Sequence, residues 1–200
     1  MNEQDNKYEM SKMSGMHDAH KTLLHICCAP CSYMCIETLR AENIDVTGFW
    51  YNPNIHPYTE YKARRDTLIM HAKNVDMPLV CIDTYGLREF VRLVYPELDD
   101  RCEKCYDVRL EKAAAYAAEN GFDSFTTSLL ISPYQKHDLI AEVAQRKAEK
   151  YGVEFLYRDF RPYFREGQKK AREAGYYMQK YCGCIFSEEE RYLKPSKILP

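Results

Sequence analysis

This 200-residue chain contains nine cysteines, and seven of them fall into three short clusters that lie far apart in the sequence. The clustered residues are, in chain order, Cys27, Cys28, Cys31, Cys102, Cys105, Cys182 and Cys184. The odd total, without an export signal, argues against a full disulfide framework and favours metal binding or redox use. Any fold of this chain therefore has to bring three distant segments together at one centre.

The gross composition predicts one globular domain that lies in the cytoplasm. Apolar residues make up 46% of the chain and aromatic residues 13%, which suits a packed core. The formal net charge of −2 provides no global basic field, so any nucleic-acid site must be a local patch. No apolar stretch reaches the roughly 20 residues of a membrane span, and the polar start lacks the apolar segment of a signal peptide. We expect a disordered extension over residues 1–20, a single catalytic α/β domain over 21–200, and no membrane partner.

Strand and helix patterns alternate along the chain. Apolar runs typical of buried strands occur at 22–27, 44–51, 77–83, 122–127 and 154–157. Helical periodicity occurs at 31–43, 60–75, 87–94, 105–120, 136–151 and 165–174. Alternation at this spacing predicts a mostly parallel sheet flanked by helices. In such sheets, ligands bind beyond the carboxyl ends of the strands.

The first cysteine cluster lies where a parallel sheet places its chemistry. Cys27, Cys28 and Cys31 follow the first strand and begin the first helix, so they lie at the carboxyl edge. Pro30 suits the first turn of a helix, and a helix N-terminus favours the thiolate form that metal binding needs. The CxxC pair of the second cluster stands at the start of an alanine-rich helix. In the third cluster, Gly183 allows the thiolates on either side of it to turn toward one centre.

The number of thiols leaves two kinds of centre open. Six or more thiolates exceed the four ligands of a structural zinc site, and they could hold an iron–sulfur cluster with ligands left over for a second metal or for redox chemistry. A CxxC pair and a CxC pair could also form a structural zinc site, since thiolate softness does not separate the two centres. That alternative predicts a non-enzymatic zinc module that binds nucleic acid. Cys35 and Cys81 are predicted to be buried core thiols.

An ATP-using enzyme of the same fold class is disfavoured by the sequence. Such an enzyme needs a phosphate loop rich in glycine or serine after the first strand. Residues 27–31 occupy that position, and they contain no glycine.

Five long motifs occur in order along the chain. They are HICCAPCS at 25–32, FWYNPNIHP at 49–57, RCEKCYDVRLEKAA at 101–114, GFDSFTTSLLISPYQ at 121–135 and YCGCIFS at 181–187. Over residues 22–187 the chain resembles the epoxyqueuosine reductases of the QueH type, a cobalamin-independent family that completes queuosine synthesis in tRNA. The resemblance implies a nucleotide-hydrolase-like α/β fold of the HUP or Rossmann-like kind. It also implies an oxidoreductase that reduces the epoxide of epoxyqueuosine, at the wobble position of tRNA, to the cyclopentene of queuosine.

The same resemblance implies the cofactors and their ligands. The family binds a 4Fe–4S cluster with an adjacent mononuclear metal, expected to be iron, and an external electron donor of unknown identity must refill the cluster. The cysteines that match the family motifs are Cys27, Cys28, Cys102, Cys105, Cys182 and Cys184. Some members have an aspartate where this chain has Cys31, and we expect Cys31 to serve the adjacent metal.

Epoxide removal also needs a proton source near the metal. His25, Tyr106 and Asp107 are candidates because they stand beside the cysteine clusters in the sequence. Each has a structural alternative: a histidine on a strand is often a hydrogen-bonded core residue, and Asp107 suits the first turn of a helix. With Cys31 as a metal ligand, His25 and Asp107 complete the predicted catalytic set.

Binding of tRNA should combine phosphate attraction with stacking on splayed bases. Tyr58, Arg64 and Arg65 lie in one basic and aromatic segment, and Tyr134 lies in another. The alternative for both segments is an ordinary solvated surface. Hydroxyl side chains after the fourth strand could contact phosphate or the modified base; the predicted ones are Thr127 and Ser128.

Overall fold

A computed structural model describes residues 19–193. The predicted disordered extension lies outside the described residues, apart from its last two positions. Five parallel strands form one sheet in the order β3-β2-β1-β4-β5. The strands are β1 Lys21–His25, β2 Asp45–Trp50, β3 Leu79–Cys81, β4 Ser124–Thr127 and β5 Glu154–Phe155. The prediction of a mostly parallel α/β sheet is confirmed, and this strand order matches the first five positions of the doubly wound order 3-2-1-4-5-6.

Seven α-helices flank the sheet within the described residues. They are α1 Ala29–Ala41, α2 Tyr58–Asn74, α3 Leu87–Val94, α4 Arg101–Glu119, α5 His137–Tyr151, α6 Phe164–Glu173 and α7 Ile185–Tyr192. Short 3-10 turns cover Tyr95–Asp100, Ser128–Ile131 and Arg161–Tyr163. Six of the helices match the predicted patterns within a few residues. The sequence patterns did not predict α7, because a helix of only eight residues shows little periodicity. None of the described helices has the length and apolar character that crossing a membrane requires.

The centre of the sheet fixes where the first cysteine cluster lies. β1 pairs with β2 on one side and with β4 on the other, so the strand order reverses direction at β1. In open parallel sheets, a crevice for ligands forms at such a point, beyond the carboxyl ends of the strands. Leu23 and Leu24 on β1 are fully buried and hold this strand in the core. The residues that directly follow β1 therefore lie in the crevice.

The first helix begins earlier than its periodicity predicted. Cys28 has an extended backbone, and Pro30 occupies the first turn of α1. Because proline has the backbone angle of a helix and needs no amide partner there, the turn can form at Ala29. Cys31 is thus part of the first helical turn and lies next to the end of β1.

The two isolated cysteines differ from each other. Cys35 is fully buried on α1, which confirms it as a core thiol. The prediction of a buried Cys81 is wrong, because this residue is exposed. β3 is an edge strand with only three residues, and Cys81 is its last residue. An edge position leaves one side of the strand without a neighbour.

Candidate metal centre

One cleft collects cysteines from all three clusters. It has a volume of about 1060 Å³ and opens beyond the carboxyl ends of β1 and β4. The cysteines that line it are Cys27, Cys31, Cys102, Cys105, Cys182 and Cys184. Their segments follow β1, begin α4 and precede α7. The fold therefore brings together thiols that are separated by more than 150 positions in the sequence.

Three of the thiols form a tight triad. The sulfurs of Cys27, Cys28 and Cys31 all lie within 4.8 Å of one another, and all three residues are buried. The distance between the sulfurs of Cys27 and Cys28 is 3.7 Å. Two thiolates on one tetrahedral ion, each ~2.3 Å from it, would lie ~3.8 Å apart. The triad therefore fits one metal ion and leaves a fourth position for another ligand.

The pKa values of the three thiols of the triad shift in different directions. Hydrogen bonds from Cys28 and Cys31 lower the pKa of the Cys27 thiol well below its ordinary value, and the Ser128 hydroxyl also donates to this sulfur, at 3.6 Å. Burial raises the pKa of Cys28, and the hydrogen bond with Cys27 raises that of Cys31. Within the triad, Cys27 is thus the thiol that loses its proton most readily. The other two thiols give up their protons when a metal binds, as thiolate coordination requires.

The remaining four cysteines form a second, wider group. Cys105 and Cys184 pack with Phe90 and Val94 in a small apolar cluster, and burial raises their pKa to about 12 and about 11. All four cysteines line the same cleft, and the charges of Cys182, Cys184 and Cys102 add to the raised pKa of Cys105. Among the described residues, only the triad has its ligand atoms within 4.8 Å of one another. No three sulfurs of this quartet lie that close together, so it is a wider arrangement than the triad.

A buried arginine holds the third cysteine cluster in place. Arg64 on α2 is 1% exposed and forms an ion pair with Glu60 at 2.6 Å. Its guanidinium also donates to the backbone oxygens of Tyr181 and Cys182, at 2.9 and 3.0 Å. These bonds fix the backbone immediately before Gly183.

Gly183 is required where it stands. Its φ of +117° is disfavoured for side chains other than hydrogen, and an added Cβ would lie 2.9 Å from Ile55 and 3.2 Å from Arg64. The Gly183 oxygen also accepts a hydrogen bond from the His56 amide at 2.8 Å. The glycine between Cys182 and Cys184 therefore allows both the turn and the close contact with α2.

Of the predicted catalytic residues, Cys31 belongs to the triad, whereas His25 and Asp107 are bonded to other side chains. His25 is fully buried beside Thr127, 2.9 Å from its hydroxyl, and burial lowers its pKa to about 3, helped by the charge of Arg109. A neutral core histidine of this kind positions Thr127. Asp107 pairs with Lys147 at 2.6 Å and is not among the residues that line the cleft.

The predicted RNA-binding residues divide into two sets. Ser128 lines the cleft, and Tyr134 lines it with 85% of its surface exposed. Arg64 also lines the cleft, but its bonds are internal and it presents no exposed charge. Arg65 pairs with Asp83 at 2.6 Å. Neither Arg65 nor the exposed Tyr58 lines the cleft.

Sequence reasoning missed three features of the cleft. Arg109 is 3% exposed and lines the cleft, although its Nε donates to the Cys105 oxygen at 3.0 Å. Gln179 donates to the Cys31 sulfur at 3.3 Å. Two exposed arginines on one face of α6, Arg165 and Arg172, also line the cleft. Only Arg109 had a signal in the sequence, since it stands four residues after Cys105 and so shares its helix face.

Comparisons with known proteins agree on one family. A family profile described as "Epoxyqueuosine reductase QueH" matches residues 22–190. A protein of that name from Dehalococcoides mccartyi is 37% identical over 178 residues, which is 89% of this chain and 98% of the relative. The relative of that name from Thermotoga maritima is 36% identical over 185 residues, which covers 88% of this chain and 94% of the relative. The relative of that name from Haemophilus influenzae is 39% identical over 179 residues, 85% of this chain and 73% of the relative.

A solved structure is similar at a lower level. It is the predicted subunit of a tRNA methyltransferase from Methanocaldococcus jannaschii, with a TM-score of 0.46 and 12% identity. The match covers 86% of this chain and 93% of that chain.

Proposed function

The chain belongs to the epoxyqueuosine reductase QueH family, and from this membership we propose that it reduces epoxyqueuosine at the wobble position of tRNA to queuosine in the cytoplasm. The observation that supports the proposal is the convergence of three distant cysteine clusters on one cleft. The family match over residues 22–190 includes all three clusters. The reaction removes the epoxide oxygen as water and consumes two electrons and two protons, and the electrons come from an external donor.

We assign the two groups of cysteines to different cofactors. The quartet offers the four thiolates that a 4Fe–4S cluster takes, and the triad offers three thiolates and an open position to an adjacent metal ion, which we take to be iron. When bound, the cluster supplies electrons one at a time and the metal supplies a Lewis acid for the C–O bond. The quartet consists of Cys102, Cys105, Cys182 and Cys184.

Arg109 provides a fixed positive charge beside both groups. No carboxylate pairs with it among the described residues, and its guanidinium lies 5.6 Å from the centre of the Tyr106 ring. Its charge acts on Cys27 as well as on Cys105. A buried cation without a carboxylate partner favours an anionic neighbour. Arg109 therefore stabilises the thiolates and the negative charge that develops on the epoxide oxygen as the C–O bond breaks.

Tyr106 is our candidate for one of the two proton donors. It lines the cleft, its hydroxyl donates to Gln135 at 2.6 Å, and burial raises its pKa, so it stays protonated at neutral pH. Tyr106→Phe should lower turnover by about 100-fold, the lower range for loss of a general acid. Iron and sulfide contents should not change. Tyr116→Phe on the same helix, away from the cleft lining, is the matched control, and wild-type turnover in Tyr106→Phe would exclude this role.

The function itself is tested by metal analysis and a single conversion assay. Anaerobically prepared protein should be brown and contain iron together with acid-labile sulfide. With dithionite as reductant, it should convert epoxyqueuosine in tRNA to queuosine. Stoichiometric zinc without sulfide, and no conversion, would overturn the reductase function and leave the non-enzymatic zinc module as the alternative.

A further inference from the structure

Helix α6 packs directly on the helix that carries Cys31. A Cβ added to Gly167 would lie 3.2 Å from the Met34 side chain and 3.4 Å from the Pro30 oxygen, so the two helices touch through a glycine. Ala171, one turn later on the same face, is fully buried. This close packing fixes the position of α6 relative to the cysteine triad.

A different face of α6 lines the cleft. Arg165, Gln168 and Arg172 follow the i, i+3, i+7 spacing that places residues on one side of a helix. Both arginines are exposed, and neither forms an ion pair within the part of the chain that the structure describes. Other cations of this helix are engaged elsewhere: Lys170, for example, pairs with Glu37 at 2.5 Å. The cleft face of α6 thus carries two uncompensated charges.

Basic side chains outnumber carboxylates in the cleft as a whole. Its lining contains eight basic side chains and one carboxylate, Glu190, which pairs with Arg101. This excess stands out in a chain with a formal net charge of −2. The basic residues are Arg101, Arg109, Lys136, Arg165, Arg172, Lys180, Arg191 and also Arg64, whose own charge is paired with Glu60. Charge of one sign concentrated in a cleft attracts a polyanion of the opposite sign.

An aromatic side chain stands beside these charges. Tyr134 is 85% exposed, and its ring lies 5.8 Å from that of Phe164, the first residue of α6. Exposed rings next to arginines are the combination with which proteins hold single-stranded RNA, since the rings stack on bases and the cations bind phosphates.

We propose that the cleft face of α6, formed by Arg165, Gln168 and Arg172, together with Lys180 and Tyr134, binds the phosphates and one unstacked base next to the modified nucleotide. This inference rests on the proposed function and specifies where the RNA lies. Since α6 is fixed against α1, RNA bound on this face is held in register with the cysteine triad. The surface replaces the one that the sequence indicated around Arg64 and Arg65.

The test is a pair of double variants in the metal-loaded protein. Arg165→Gln/Arg172→Gln should weaken binding of tRNA that carries epoxyqueuosine on the order of tenfold and lower the slope of log affinity against log salt by about 2. Arg88→Gln/Arg92→Gln removes the same charge from exposed arginines of α3, outside the cleft lining, and should change neither value. Arg165→Lys/Arg172→Lys should keep the wild-type salt slope.

The outcomes separate this proposal from the function that it refines. If the wild type converts the tRNA while Arg165→Gln/Arg172→Gln keeps full affinity and salt slope, the α6 surface is wrong and the reductase function stands. Equal losses in the α3 control would also overturn the surface, because the effect would then come from total charge. If the wild type neither binds nor converts the tRNA, both proposals fall.

Discussion

Replacement of Cys31 by alanine is expected to remove one metal ion per protein molecule and to lower turnover by about 100-fold or more, while acid-labile sulfide stays at the wild-type level. The triad geometry is the reason. Cys31 shares a site with Cys27 and Cys28, whose sulfurs are spaced as around a single ion. Two thiolates without the third hold an ion poorly, because a thiolate ligand supplies both charge and one corner of the coordination shell. The quartet does not include Cys31, so the cluster should persist.

Aspartate at the same position should restore part of both properties. A carboxylate can ligate iron, although it is a harder ligand than thiolate. Cys31→Asp is therefore expected to recover some metal and some turnover relative to Cys31→Ala. Cys35→Ala is the matched control, since Cys35 lies one helical turn further along α1 and is fully buried. Full activity in Cys31→Ala would contradict the assignment, and so would loss of all sulfide.

Replacement of Cys102 by alanine should abolish both acid-labile sulfide and turnover. Cys102 belongs to the quartet that we assign to the 4Fe–4S cluster, and a cluster deprived of one thiolate loses an iron ligand. The residue is partly exposed, so its replacement leaves little cavity, and the fold should survive. The checks are iron and sulfide analysis, visible absorbance and the conversion assay.

A cysteine outside the cleft serves as the comparison for Cys102. Cys81 is exposed at the end of β3, and Cys81→Ala should keep sulfide, colour and turnover. Wild-type sulfide in Cys102→Ala would show that the cluster uses other ligands. In that case the division into a triad and a quartet would have to be redrawn.

The sequence predicted the sheet and the edge at which the cysteines lie because both depend on local patterns. Alternation of strands and helices determines the layers, and cysteines directly after β1 lie at the carboxyl edge of any parallel sheet. The boundary of α1 was missed by two residues, since Pro30 starts the helix before its apolar period begins.

The environment of Arg64 depends on contacts between distant residues, which no local pattern contains. Its pair with Glu60 is visible in the sequence as i, i+4 spacing, and such pairs usually lie on a solvated helix face. The segment at Tyr181 and Cys182, more than 110 positions away, covers this pair and uses the remaining donors. The cleft face of α6 was missed for the same reason, because only tertiary packing determines which face of that helix lines the cleft.

The anchoring of Cys182 and Cys184 by Arg64 and Gly183 has a consequence for how the protein is made. These two thiols follow β5 in the chain, so the ribosome synthesises the whole sheet before it synthesises them. The guanidinium that donates to the backbone oxygens of Tyr181 and Cys182 belongs to α2 and is already present by then. A nascent chain can therefore complete its α/β layers first and close the quartet last. The proposed cluster would then be assembled after synthesis, on a scaffold that is already folded.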